Sequence, residues 1–79
     1  MEPEGKVRQI ICDQLSCDVE EISDDAFLSD DLGMTPDDLE EMVALLAEEF
    51  EIDIPDVDAE DWETVADVIN YVVDRLAND

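Results

Sequence analysis

The chain contains side chains that can act as nucleophiles, but the sequence places no group beside them to activate them. Its hydroxyls and thiols include Ser29, Thr35, Cys12 and Cys17. Nucleophilic catalysis by such groups needs an adjacent base, and the chain has no histidine and no glycine-rich phosphate loop. Its many carboxylates are expected to be exposed, so their pKa values should stay outside a catalytic range. We predict that the protein is not an enzyme.

Negative charge dominates the chain and limits the partners it can bind. There are 26 acidic residues against 3 basic ones, which gives a formal net charge of −23 at pH 7. A surface with this charge repels nucleic acid phosphates and anionic membranes. We therefore predict binding to basic surfaces of proteins, with no nucleic acid binding and no membrane insertion.

The acidic residues and the cysteines do not form a specific metal site. An EF-hand loop needs acids five and three residues before its glycine, and before Gly33 these positions hold Leu28 and Asp30. Cys12 and Cys17 are five residues apart and match neither CxxC nor a zinc pattern. We predict only weak, delocalised binding of divalent cations, and we interpret both cysteines as small, partly buried apolar side chains in a reducing compartment.

Composition predicts a folded, mostly helical chain rather than a disordered acidic one. Hydrophobic residues make up 46%, with only 3 prolines and 2 glycines. The N-terminal residues contain no long apolar segment with a small-residue cleavage site, and no stretch approaches the roughly 20 apolar residues of a membrane span. We expect one domain over residues 1–79, monomeric and cytoplasmic.

The spacing of the apolar residues predicts an all-α fold, a small four-helix bundle with a long loop after the first helix. Three main helices and a short third helix are expected. The predicted elements are a helix over Pro3–Leu15, a connector over residues 16–34, a helix over Pro36–Phe50, a short turn over Val57–Trp62, and a last helix that begins at the N-cap Thr64 and runs to the end.

The predicted core combines one face of each helix with apolar residues of the connector. In the second helix, apolar residues step by three and four, which puts them on one face. These are Leu39, Met42, Val43, Leu46 and Phe50. A connector this long must be held in place, and the residues predicted to do so are Val19, Ile22, Phe27, Leu28 and Leu32. The last helix is expected to contribute Val65, Val68, Ile69, Val72, Val73 and Leu76. Trp62 and Tyr71 are interpreted as packing residues rather than as a ligand pocket.

Several short motifs at matching spacing resemble the acyl carrier protein family. They are DQLSCDVEEI at residues 13–22, DLG at 31–33, EEFEIDIPD at 48–56 and Thr64-Val65 at the start of the last helix. The resemblance covers some 70 residues. It implies a carrier fold in which a serine directly after D-L-G-x-x holds phosphopantetheine, whose thiol carries acyl groups. It also implies that acidic residues of the second helix bind basic patches on successive enzymes.

The sequence departs from this family at the attachment position. Counting from Gly33, Met34 and Thr35 occupy the two variable places and Pro36 occupies the place of the serine. Proline has no side-chain heteroatom, so no phosphodiester can form on it. The residue after the serine is usually leucine in the family, whereas here it is Asp37. No cofactor is therefore expected, and phosphopantetheine is expected only if the protein is a genuine carrier.

Thr35 is not expected to substitute for the missing serine, because its hydroxyl has another predicted use. Thr35-Pro36-Asp37-Asp38 matches an N-cap threonine, a proline at the first helical position and acids in the first turn. Proline favours the extended conformation that an N-cap needs in the residue before it. We predict that the Thr35 oxygen accepts an N–H from Asp37 or Asp38, with Asp38 bonding back to the N–H of Thr35.

Three functions remain open from the sequence. The first is a carrier-like interaction or regulatory module for carrier-recognising enzymes, without a prosthetic arm. The second is a genuine acyl carrier protein of fatty acid, polyketide or peptide biosynthesis, and the third is an unrelated small acidic binding protein. For the first, the predicted partner-binding residues are Asp31, Asp37, Asp38, Glu40, Glu41, Glu48 and Glu49.

Overall fold

Three long helices and one short helix form the regular structure of residues 2–77, the part of the chain that the computed structural model describes. Their bounds are Pro3–Leu15 for α1, Pro36–Phe50 for α2, Asp56–Ala59 for α3 and Val65–Ala77 for α4. A 3₁₀ turn over Val19–Glu21 lies in the connector after α1. The predicted all-α bundle is confirmed, and α1 and α2 have the predicted bounds. The predicted end of the last helix at residues 78 and 79 lies outside the described residues.

The core lies where α1 packs against both α2 and α4. Apolar side chains from these three helices are completely shielded from water, and none of the buried residues among 2–77 is polar or charged. The side chains with no exposed surface are Val7, Ile11, Met42, Leu46, Val65, Val68 and Val72. Burying a Leu, Val or Met side chain stabilises the fold by about 1.5–3 kcal/mol, so this apolar core is the main source of stability.

Backbone hydrogen bonds hold the connector against the start of α4. The N–H of Leu28 donates to the carbonyl of Glu63 at 2.8 Å, and the N–H of Val65 donates to the carbonyl of Ala26 at 3.1 Å. Phe27 and Thr64 form an isolated antiparallel bridge between these segments. The sequence predicts apolar side chains that hold the connector but not this backbone pairing, because pairing between distant segments leaves no local signal.

Three details of the predicted packing are wrong. Phe27 is 44% exposed, because successive side chains of extended backbone point to opposite sides and the buried side belongs to Leu28. Val73 is 42% exposed, because it lies at the edge of the helical face centred on Val68 and Val72. The short helix spans Asp56–Ala59 rather than Val57–Trp62, since its N-cap is Pro55 and the chain turns at residues 60 and 61.

A capping box starts α4, with Thr64 as predicted at the N-cap. The Thr64 hydroxyl accepts the N–H of Asp67 at 3.3 Å, and the Asp67 carboxylate accepts the N–H groups of Glu63 at 2.9 Å and Thr64 at 3.1 Å. The two backbone N–H groups, first that of Glu63 and then that of Thr64, lower the pKa of Asp67 below its ordinary value of 3.8. The ionised carboxylate therefore stabilises the native state.

Replacing Asp67 with Asn should lower the free energy of unfolding at pH 7 by roughly 0.5 kcal/mol, because a neutral amide accepts N–H groups less strongly at this exposed position. The folded-state pKa is the lower one, so the contribution is present above pH 3.8 and is lost as the pH falls through the folded-state value. Urea unfolding between pH 7 and about pH 3 measures this difference. The control is Asp53→Asn, which removes the same charge from an exposed loop residue. Equal losses for the two variants at pH 7 would contradict the prediction.

Candidate functional site

A capping box formed by Thr35 and Asp38 starts α2. The Thr35 hydroxyl oxygen accepts the N–H of Asp38 at 3.2 Å, and the Asp38 carboxylate accepts the N–H of Thr35 at 3.2 Å. Thr35 has the extended backbone (φ −88°, ψ 166°) expected before a proline, and Pro36 is the first helical residue. The predicted cap is confirmed, with Asp38 rather than Asp37 as the donor.

Hydrogen bonds within the segment before α2 fold it back on itself and fix the position of Pro36. The Asp31 carboxylate accepts the N–H of Phe27 at 2.8 Å, and the N–H of Met34 donates to the carbonyl of Leu28 at 2.9 Å. Gly33 has a φ of +68°, a conformation that residues with a Cβ adopt at a cost. The following Met34 is buried, although the sequence had suggested only a variable position there.

Helix α1 also holds the first turn of α2. The side-chain amide of Gln14 donates to the carbonyl of Asp38 at 2.6 Å in a partly buried position. The start of α2 is thus held by its own capping box and by the hydrogen bond from Gln14 of α1.

An apolar cleft of about 510 Å³ opens beside Pro36. Pro36, Phe27, Met34, Leu39 and Trp62 are among the residues that form its apolar wall. Further lining residues, mostly polar, are Leu28, Ser29, Asp30, Thr35, Glu60 and Glu63. This cleft is not predictable from local sequence patterns, because it is formed by the connector, the start of α2 and the residues before α4. Phe27 is the one residue that could have indicated the cleft. Because Leu28 points into the core, the neighbouring Phe27 side chain must point to the surface, where it lines the cleft.

Trp62 and Tyr71 pack as predicted, and Trp62 lies between this cleft and the surface of α4. Their rings meet edge to face with centroids 5.3 Å apart, and both side chains are half-buried. The Tyr71 hydroxyl donates to the Asp58 carboxylate at 2.8 Å. Burial first and this hydrogen bond second raise the pKa of Tyr71 above its ordinary value.

The predicted partner-binding residues fall into two groups. Four of them are exposed on α2 and make no side-chain hydrogen bond or ion pair with the rest of residues 2–77. These are Asp37, Glu40, Glu41 and Glu48. The other three have internal partners: Asp31 and Asp38 accept the N–H groups described above, and Glu49 pairs with Lys6 at 2.8 Å. The sequence predicts all seven as partner-binding residues, but it could not show which carboxylates the fold itself uses.

All three basic side chains bind groups of the same chain. Lys6 pairs with Glu49, and the hydrogen bond to that carboxylate raises the pKa of Lys6. Arg8 pairs with Asp24, and Arg75 donates to the Tyr71 hydroxyl at 3.3 Å. The negative field of the remaining acids is therefore largely unopposed at the surface of α2.

The three serine hydroxyl groups do not lie at a helix start. Ser16 is the left-handed residue that ends α1, and Ser23 and Ser29 are exposed in the connector. Ser29 does line the cleft beside Pro36. Across residues 2–77, no group of three or more cysteine or acidic side chains is placed to hold a metal ion. No helix within the same range has both the length and the apolar character needed to cross a membrane.

Known proteins resemble this chain over most of its length. Residues 5–72 match the family described as "Phosphopantetheine attachment site". The acyl carrier protein of Clostridium perfringens is 42% identical over 70 residues, covering 89% of this chain and 92% of that protein. The acyl carrier protein of Clostridium acetobutylicum is 45% identical over 67 residues, covering 85% of this chain and 87% of that protein.

Solved structures of similar chains share the fold. The acyl carrier protein of Enterococcus faecalis superposes with a TM-score of 0.80 at 32% identity, covering 94% of each chain. A Mycobacterium tuberculosis chain described as a candidate acyl carrier protein gives a TM-score of 0.84 at 32% identity, covering 90% of this chain and 95% of that one.

This chain belongs to the acyl carrier protein family. The alternative of an unrelated acidic binding protein is therefore wrong. Members of the family are carriers rather than catalysts, and they interact with biosynthetic enzymes. The prosthetic group that the family name implies needs a hydroxyl for attachment. Pro36 has none, and the oxygen of Thr35 accepts the N–H of Asp38. Position 36 thus does not fit that group.

Replacing Thr35 with Val should lower the free energy of unfolding by about 1 kcal/mol, because Val keeps the shape of Thr but leaves the N–H of Asp38 without its acceptor. Urea unfolding followed by circular dichroism measures the loss. Thr35→Ser is the matched control, since it keeps the oxygen and should change stability by only a few tenths of a kcal/mol. Identical urea midpoints for the Val and Ser variants would show that the cap does not stabilise α2.

Proposed function

We propose that the protein is a carrier-fold docking module that binds carrier-recognising enzymes without a phosphopantetheine arm at position 36. The observation that carries this proposal is Pro36, which occupies the first helical position of α2 where the resemblance places the serine. The module performs no catalysis itself. It would act in a reducing cytoplasm as a monomer, regulating or organising the enzymes it binds.

The charge of α2 supports docking to basic protein surfaces. Asp37, Glu40, Glu41 and Glu48 are exposed and have no partners among residues 2–77. Opposite charges steer a fast, salt-sensitive encounter. Asp31, Asp38 and Glu49 belong to the same proposed surface. Their carboxylates already bind groups of this chain, so they would add negative charge to the surface rather than contact a partner directly.

The cleft beside Pro36 would supply an apolar contact at one end of this surface. Phe27 is 44% exposed there, next to the Pro36 ring and Trp62. Charged groups at an interface mainly raise the association rate and orient the partner, whereas a side chain that fills an apolar pocket mainly slows dissociation. The favoured partner surface therefore has an apolar side chain flanked by Lys or Arg residues.

A second function is favoured by the relatives, which are named acyl carrier proteins. On this alternative the chain is a genuine carrier and its arm is attached to a hydroxyl other than one at position 36. Thr35 and Ser29 are the hydroxyl residues that line the cleft beside Pro36. Attachment at Thr35 would place the arm on the oxygen that caps α2.

The two functions are separated by incubating the protein with coenzyme A and a broad-specificity phosphopantetheinyl transferase and measuring its intact mass. We expect the wild-type mass to stay unchanged, because Pro36 offers no nucleophile. A gain of the arm would contradict the docking proposal and support the genuine carrier. Thr35→Val and Ser29→Ala would then locate the attachment.

Pro36→Ser is the control for recognition by the transferase. Modification of this variant would show that the rest of the surface still binds the enzyme. If Pro36→Ser also stays unmodified, the double variant Pro36→Ser, Asp37→Leu tests whether the charge after the attachment position prevents binding. Modification of the double variant alone would place the change in recognition at Asp37.

A further inference from the structure

We propose that Cys12 and Cys17 are a dithiol modification site, which a small disulfide converts into an intramolecular disulfide. The site lies at the end of α1, and neither cysteine belongs to the proposed docking surface. From the sequence, both cysteines are interpreted as small, partly buried apolar side chains. The structure brings the two Sγ atoms to 3.0 Å from each other, where the Cys17 thiol donates a hydrogen bond to the Cys12 sulfur.

The backbone at the end of α1 holds the two thiols together. Ser16 has a left-handed conformation (φ 59°, ψ 41°), and the N–H of Cys17 donates to the carbonyl of Cys12 at 3.1 Å. This is the six-residue bond of a Schellman motif, in which the side chains at the two ends of the bond meet. In most helices that contact is between apolar residues, and here it is between thiols. The backbone at the helix end thus brings the two side chains together.

The two thiols differ in access to solvent. Cys12 is 2% exposed, whereas Cys17 is half-buried and lines a cleft of about 280 Å³ between Leu15, Ile22 and Leu32. Burial first, and the hydrogen bond with Cys17 second, raise the pKa of Cys12 to about 12. Cys17 is therefore the thiol that meets an incoming reagent, and Cys12 is the thiol that resolves the product.

The reaction is an ordinary thiol–disulfide exchange in two steps. The Cys17 thiolate attacks one sulfur of the reagent RSSR, which forms a Cys17–S–S–R bond and releases RS⁻. The Cys12 thiol then loses its proton and attacks the Cys17 sulfur, which expels the second RS⁻ and forms the Cys12–Cys17 bond. The two thiols lose two electrons and two protons in all, and the reagent leaves as two RSH molecules.

Charge around the site selects the reagent. Asp13 and Asp18 lie close enough to raise the pKa of Cys12, and Glu21 and Asp31 line the cleft at Cys17. Anionic disulfides are repelled by these carboxylates and by the net charge of −23, whereas cationic disulfides are attracted. The site is therefore matched to a small cationic or neutral disulfide.

The test treats the full chain with cystamine, a cationic disulfide, and in parallel with glutathione disulfide, an anionic one. With cystamine we expect a monomer that has lost two hydrogen atoms by intact mass and both free thiols by thiol titration, and that regains them with a reductant. At low ionic strength cystamine should react at least about tenfold faster than glutathione disulfide, and added salt should reduce this ratio.

Two single variants keep the test decisive. Cys17→Ser removes the accessible thiol and should leave Cys12 unreacted, whereas Cys12→Ser should stop at a stable Cys17 mixed disulfide. Circular dichroism shows that each variant is folded before it is treated. The proposal is overturned if wild-type protein keeps both thiols, retains a mixed disulfide on Cys17 or forms linked dimers, or if Cys17→Ser reacts at the same rate as wild type.

Discussion

The N–H groups in the first turn of α2 have no acceptors within the helix. The residues that satisfy or remove these donors also determine whether position 36 carries a side-chain nucleophile. Pro36 removes one of these donors, and Thr35 accepts another from Asp38. The same arrangement fills the attachment position with a ring that lacks a heteroatom. It also occupies the neighbouring hydroxyl as a hydrogen-bond acceptor. Helix initiation and the absence of a side-chain heteroatom at position 36 are thus one structural feature.

A second constraint is the large excess of negative charge, which the fold tolerates by keeping it at the surface. The buried residues among 2–77 are all hydrophobic, and the few basic side chains already bind groups of this chain. Neighbouring carboxylates repel one another unless a partner or dissolved ions screen them. A basic partner surface would relieve this repulsion along α2. The same field would keep anionic reagents away from Cys17.

Local signals made much of the fold predictable from the sequence. The bounds of α1 and α2 follow from apolar periodicity and from the residues that begin each helix, because both act within a few positions. The capping boxes at Thr35 and Thr64 were predictable for the same reason. Features that depend on two distant segments were not. Phe27 was assigned to the wrong side of the connector, since pairing with the residues before α4 sets its direction.

In the candidate site too, features with a local signal were predictable and features that join distant segments were not. Its acidic residues could be located from helical spacing, but the ion pair of Glu49 with Lys6 joins α2 to α1 and leaves no pattern in either helix alone. The cleft beside Pro36 needs three separate segments to form its wall. The contact between Cys12 and Cys17 depends on one left-handed residue, Ser16, which is neither glycine nor asparagine and so gave no signal of a Schellman motif.

The central claim is that this protein binds carrier-recognising enzymes without an arm. The most direct measurement is inhibition of a carrier-dependent acyltransferase by the unmodified protein, at several concentrations of its carrier substrate and at two salt concentrations. The account predicts competitive inhibition that weakens as salt is added, is reduced by Glu41→Lys and is unaffected by the loop control Asp53→Lys. No inhibition at either salt concentration, or equal effects of the two variants, would contradict it.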